Sequence, residues 1–163
     1  MIFLAAFIGY SVGIAPVIGY HYGAKNQREL KSLLGKSLLV IGVVSVLMLA
    51  AAEWLAEPLA VIFVGYDAAL LELTLHGFRI FSFSFLFAGM AVYGSSFFTA
   101  LNNGLVSAVI SFLRTLVFQV AAVLVFPLFW GIDGIWYSVI AAELMAAAVT
   151  VSFLLRKKKK YGY

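Results

Sequence analysis

From Ser37 to Ala52 the chain reads SLLVIGVVSVLMLAAA, with no charge, no proline and no alternation of apolar with polar positions. Extended to residue 57, with Glu53 and Trp54 at the interface, the run is long enough to cross a hydrocarbon core roughly 30 Å thick as a helix rising about 1.5 Å per residue. Pro58 marks its expected end, because proline removes a backbone donor and clashes with the preceding turn. The other structure that satisfies its backbone within lipid is a closed β-barrel, whose strands alternate apolar and polar over about 10 residues. This run does not alternate, so it is a helix.

Four more stretches have the same character, giving spans at about 2–20, 37–57, 78–100, 108–129 and 134–155. The segments Asn102-Asn103-Gly104 and Trp130-Gly131-Ile132-Asp133-Gly134 carry turn chemistry between them. The expected fold class is therefore all-α: a polytopic membrane protein of about five transmembrane helices in a single transmembrane helical domain, with a basic tail over 156–163. Composition points the same way. The 163 residues are 64% hydrophobic and 11% charged, with a mean hydropathy of +1.08, whereas soluble domains are about 45–50% apolar and about 25% charged. The opening run, Met1–Ala24, has no basic region before it and exceeds the usual signal-peptide core of about 7–15 residues, so it reads as a true span. Absence of cysteine excludes a disulfide scaffold.

Orientation follows from the lysines and arginines, which resist translocation and accumulate on the cytoplasmic side. Lys25, Arg28, Lys31 and Lys36 follow the first span and Arg156-Lys157-Lys158-Lys159-Lys160 the last. Glu53, Glu57, Asp67, Glu72 and Asp133 fall on the opposite side, where Arg79 is the exception. The expected protein is a multi-pass component of the cell (plasma) membrane, N-terminus outside and C-terminus cytoplasmic. Its net charge of +4 sums a basic inner face and an acidic outer one, so its partner is the lipid bilayer and not nucleic acid. The RKKKK run reads as a headgroup anchor.

No residue pattern suggests catalysis, and His21 and His76 fall at opposite faces, so neither a catalytic nor a metal site is expected. Charges within spans carry the information, since an ionised group near the bilayer centre costs about 2.5–3.5 kcal/mol on insertion scales. Glu143 is the deepest. It is either a proton-binding or substrate-contacting carboxylate or one paired with a neighbouring helix for structure alone. Arg114 is close enough to the inner face for its stem to snorkel to the headgroups, and Gln119 is placed to extend it into a polar seam. Arg79 has Glu72 and Asp67 as candidate partners. In the first span, Gly9 and Gly13, and Gly19 near its end, give small-xxx-small spacing suited to close helix approach, while Pro16 should bend or loosen the helix.

Several strings resemble a known family. APVIGYHYGAKNQRELKSLL is similar to the segment that follows a proline-glycine helix end in multidrug and toxic compound extrusion (MATE) transporters. FRIFSFSFLFAGMAVYGSSFFTALN, SFLRTLVFQVAAVLVFP and GIDGIWYSVIAAEL resemble that family's tenth, eleventh and twelfth helices, in order. The sequence departs at His21, where the family usually has asparagine. The resemblance implies a two-lobe transporter that exports organic cations or amphipathic drugs by alternating access, coupled to a proton or sodium ion, with no cofactor. It covers helices eight to twelve only. The chain is thus expected to be a fragment, most of the second lobe, inactive alone and partnered by a missing N-terminal lobe if that is encoded separately. No acid lies between Arg79 and Asp133, so Glu143 is the deep carboxylate left for coupling. Two other functions compete: a lipid-linked oligosaccharide flippase of the same superfamily, and a non-transporting membrane assembly or regulatory protein.

Overall fold

The computed structural model describes residues 2–163, without the side chains of residues 2 and 3. Helices α1 (Ile2–Gly23), α2 (Gln27–Val64), α3 (Ala68–Ser82), α4 (Phe85–Ala100), α5 (Gly104–Phe112), a π-helical segment (Leu113–Phe118) and α6 (Gln119–Tyr161) follow in order. By length and composition three stretches suffice to cross a membrane: 4–23, Gln27–Val64 and Gly104–Tyr161. The bent pair α3 and α4, inclined at 47°, makes a fourth. Gly104–Tyr161 supplies two passes because it reverses at Gly131, whose φ of 56° and ψ of −133° are not helical. Only glycine tolerates that backbone cheaply. A continuous helix would separate residues 29 apart in sequence by about 44 Å, yet Arg114 and Glu143 share hydrogen bonds. The arms approach so closely at the turn that a Cβ on Gly134 would overlap the Phe126 carbonyl.

Helix α4 is the centre of the bundle. Phe85, Ala88, Ala91, Tyr93, Phe97 and Phe98 are all buried, so the phenylalanines of this helix supply much of its core. Two glycines act as notches. A Cβ on Gly89 would strike Phe7 of α1 and Ile41 of α2, and one on Gly94 would strike Thr150 of α6. Without a hydrophobic driving force between helices in lipid, such close approach is how their packing is gained.

The helices differ from expectation in three places. Helix α2 runs through Pro58 to Val64: proline removes one backbone bond, and the rest of the turn stays paired within the helix. The third span is not one rod: the chain bends at Phe83 and Ser84, where the Ser82 hydroxyl reaches the Glu53 carboxylate of α2 and the Arg79 carbonyl. The glycines of α1 do not pack as the spacing suggests. Cβ atoms on Gly9 and Gly13 would meet nothing, and Gly19 alone comes near α4, at the Ala100 carbonyl. Helix α1 stays helical through Pro16, and Ser96 of α4 donates a hydrogen bond to the Ser11 carbonyl one turn earlier.

The loop 24–26, the loop 101–103 and the C-terminus gather at one end. Asn103 donates to the Tyr161 hydroxyl there, and Tyr22 meets the Tyr161 ring edge-on. At the other end His76 of α3 bonds Asp133 beside the Gly131 turn at 3.0 Å.

Candidate functional site

Inward-facing positions on the fourth pass recur every four residues: Val106 and Ile110 are buried, Arg114 and Phe118 half-buried, Ala122 buried. An α-helix of 3.6 residues per turn drifts off one face at that spacing. The π-helical segment Leu113–Phe118 widens the turn where the drift would accumulate. It keeps Arg114 aimed at the facing arm of α6.

Glu143 is there. It lies 12 residues beyond the Gly131 turn and 13 before Arg156, roughly 18–20 Å along the arm from each. Arg114 Nε donates to Glu143 Oε2 at 2.8 Å and Oε1 at 3.1 Å, and Nη2 donates to Oε1 at 2.7 Å. The fork matches the carboxylate in the bidentate way that makes such pairs directional as well as strong. The two side chains are 22% and 11% exposed. Small neighbours admit the pair: Ala142, Ala146 and Ala147 on α6 are all buried.

The stem of Arg114 therefore does not snorkel; its charge is met inside the bundle. Gln119 is half-buried, and the hydrogen bonds of the pair run between Arg114 and Glu143 without it. Arg79 has no ion pair among the described residues: Asp67 instead caps α3 through the Ala69 and Leu70 amides. Among the described residues no group of His, Asp and Glu has the geometry of a metal site. His21 lies at the basic end, its Nδ1 buried without a partner.

A feature not singled out from the sequence lies between the two arms of α6. Phe126 and Trp130 of the first arm and Tyr137, Ile140, Ala141 and Leu144 of the second line a groove of about 430 Å³. Trp130 meets Phe126 at 5.2 Å and Tyr137 at 6.4 Å between ring centroids. Those residues are spaced too widely along the sequence to show as a motif, and become neighbours only because the chain reverses at Gly131.

The MatE family profile matches residues 1–125, which includes Arg114 and stops short of Glu143. Among solved structures the chain is similar to the Vibrio cholerae MATE transporter VcmN in its bent form, at 21% sequence identity and a TM-score of 0.86. That match covers 99% of this chain and 37% of the other. No curated relative matches the sequence.

Proposed function

Because the chain belongs to the MatE family, we propose that it forms the helix-eight-to-twelve part of a cation-coupled antiporter that exports organic cations or amphipathic drugs. In this reading it sits in the plasma membrane with its N-terminus outside and its C-terminus cytoplasmic, and it works only with the remainder of the transporter, since transporter sites form between repeats. The observation that carries the proposal is the bidentate Arg114–Glu143 pair half-way along the last two passes. Ionised residues placed so deep are costly and mark substrate and ion pathways.

Glu143 is the exchangeable anion. Held by Arg114, it needs no other cation; released as the arms shift, it takes up a proton, a sodium ion or a cationic substrate. The two occupancies compete for the same carboxylate oxygens, which is what antiport requires. The Phe126–Trp130–Tyr137 groove offers aromatic faces that favour an organic cation. A flippase for lipid-linked oligosaccharides is disfavoured, because its phosphate would need a free cation deep between the passes and Arg114, the basic residue at that depth, is spent on Glu143.

The test is efflux of a cationic dye from cells producing the chain together with a separately encoded first lobe, under imposed proton or sodium gradients. Accumulation should fall, and Glu143→Gln, inserted normally, should lose the dependence on the gradient with at least a tenfold drop in efflux, about 1.4 kcal/mol. Efflux that keeps its gradient dependence in Glu143→Gln would make the carboxylate a structural partner only. Failure of every combination to move dye would leave a non-transporting role.

A further inference from the structure

At the basic end a second groove, of about 310 Å³, opens between α2 and α6 with α4 behind it. Its deep part is apolar: Leu34 and Leu38 of α2, Met90 of α4, and Val151, Leu154 and Leu155 of α6. Two lysines also line it, one from each outer helix, Lys31 and Lys158. The helices run in opposite directions, so Lys31 lies N-terminal to Leu38 and Lys158 C-terminal to Val151, and both ammonium groups fall at the same, basic mouth. Seven residues on either helix carry the groove roughly 10 Å inward, about a third of the hydrocarbon thickness.

The groove is held open by two devices. Gly35 lies in its wall, and a Cβ there would meet nothing within 4 Å. At its base, Gly162 adopts the left-handed conformation, φ 74°, and donates its amide to the Lys158 carbonyl. The chain thereby folds back so that the Tyr163 hydroxyl reaches the Leu154 carbonyl at 3.1 Å. Tyr163 is then fixed between the rings of Phe97 and Tyr161. Neither Lys31 nor Lys158 has an ion pair among the described residues, and both are exposed.

We propose that this groove is a binding site for one anionic phospholipid, with an acyl chain lying along Leu34, Leu38, Val151 and Leu154 and the headgroup phosphate between Lys31 and Lys158. The occupant follows from charge complementarity: an apolar trough open to lipid, closed toward the interface by two unpaired cations, suits an amphiphile whose head is negative. Every lysine of the chain lies at this end, which concentrates anionic lipid there. The groove selects the molecule from that pool. The inference is independent of the transport reading and requires only that the chain spans a bilayer.

The test is native mass spectrometry of the full chain released from a neutral detergent after exposure to phosphatidylglycerol or phosphatidylcholine of the same chain length. The wild type should retain a single phosphatidylglycerol in preference to phosphatidylcholine. Lys31→Gln/Lys158→Gln should lower that preference about tenfold, while the matched control Lys36→Gln/Lys159→Gln, taken from the same two helices outside the groove, changes it less than about twofold. Gly35→Leu, which fills the trough, should reduce retention of both lipids, and Lys31→Arg/Lys158→Arg should keep the preference. Free glycerol phosphate should not compete, because the acyl chain provides much of the binding. Equal losses in the two lysine pairs, or unchanged retention in Gly35→Leu, would reduce the cluster to a diffuse surface anchor and overturn the site.

Discussion

At the scale of single residues the Arg114–Glu143 pair sets the terms. Removing one partner strands the other charge in a nearly dry bundle, so Glu143→Ala should destabilise the fold by about 3 kcal/mol. Replacing both with leucine should restore most of that loss and no transport, a combination that thermal unfolding in detergent and dye efflux together resolve. The sequence exposed Glu143 as anomalous through its depth alone. Its partner was not legible, because Arg114 stands 29 residues away and meets it only once Gly131 reverses the chain and the π-helical turn re-aims the guanidinium. Tyr163, beyond the last helix, behaves differently: burial, then the neighbouring Tyr161, push its hydroxyl above the ordinary phenol value. The neutral form is the one that packs, so the tail's contribution is fully present below about pH 10. It is lost as the pH rises further, through the raised value. In a spectrophotometric titration Tyr163→Phe should remove a late-ionising phase.

At the scale of helices, packing rests on α4. Gly94→Leu should drive a side chain into Thr150 and cost about 1–3 kcal/mol by overpacking, read as a lowered unfolding temperature in detergent. Gly9→Ala and Gly13→Ala, which face open space, should leave it unchanged or slightly raised. Glycine spacing in the sequence singled out Gly9, Gly13 and Gly19, of which Gly19 nears a neighbouring helix, since spacing shows where backbones are able to approach but not which face a neighbour occupies. Hydropathy located the apolar runs, and for the same reason it missed the break at Phe83 and Ser84. Both sides of that bend are apolar, and the break depends on contacts such as that between Ser82 and Glu53 from a distant helix.

At the scale of the molecule, 99% of this chain corresponds to 37% of the Vibrio cholerae transporter it resembles, and α1 and α6 carry exposed apolar surface. The chain has no cysteine, so orientation is open to single-cysteine labelling: with an impermeant reagent on intact cells, Tyr66→Cys should react and Lys159→Cys should not until the membrane is opened. The all-helical class was legible from hydropathy because lipid leaves the backbone so few alternatives. The relative placement of passes was not, since it is decided by notches and ion pairs between distant segments. The reversal at Gly131 also bears on how the protein is made. A nascent fourth pass entering the bilayer alone would carry an uncompensated guanidinium, and the fifth alone an uncompensated carboxylate, each at about 2.5–3.5 kcal/mol. Released from the translocon as one hairpin, the two arms neutralise each other on the way in, so biogenesis should wait at the fourth pass until the fifth has been synthesised.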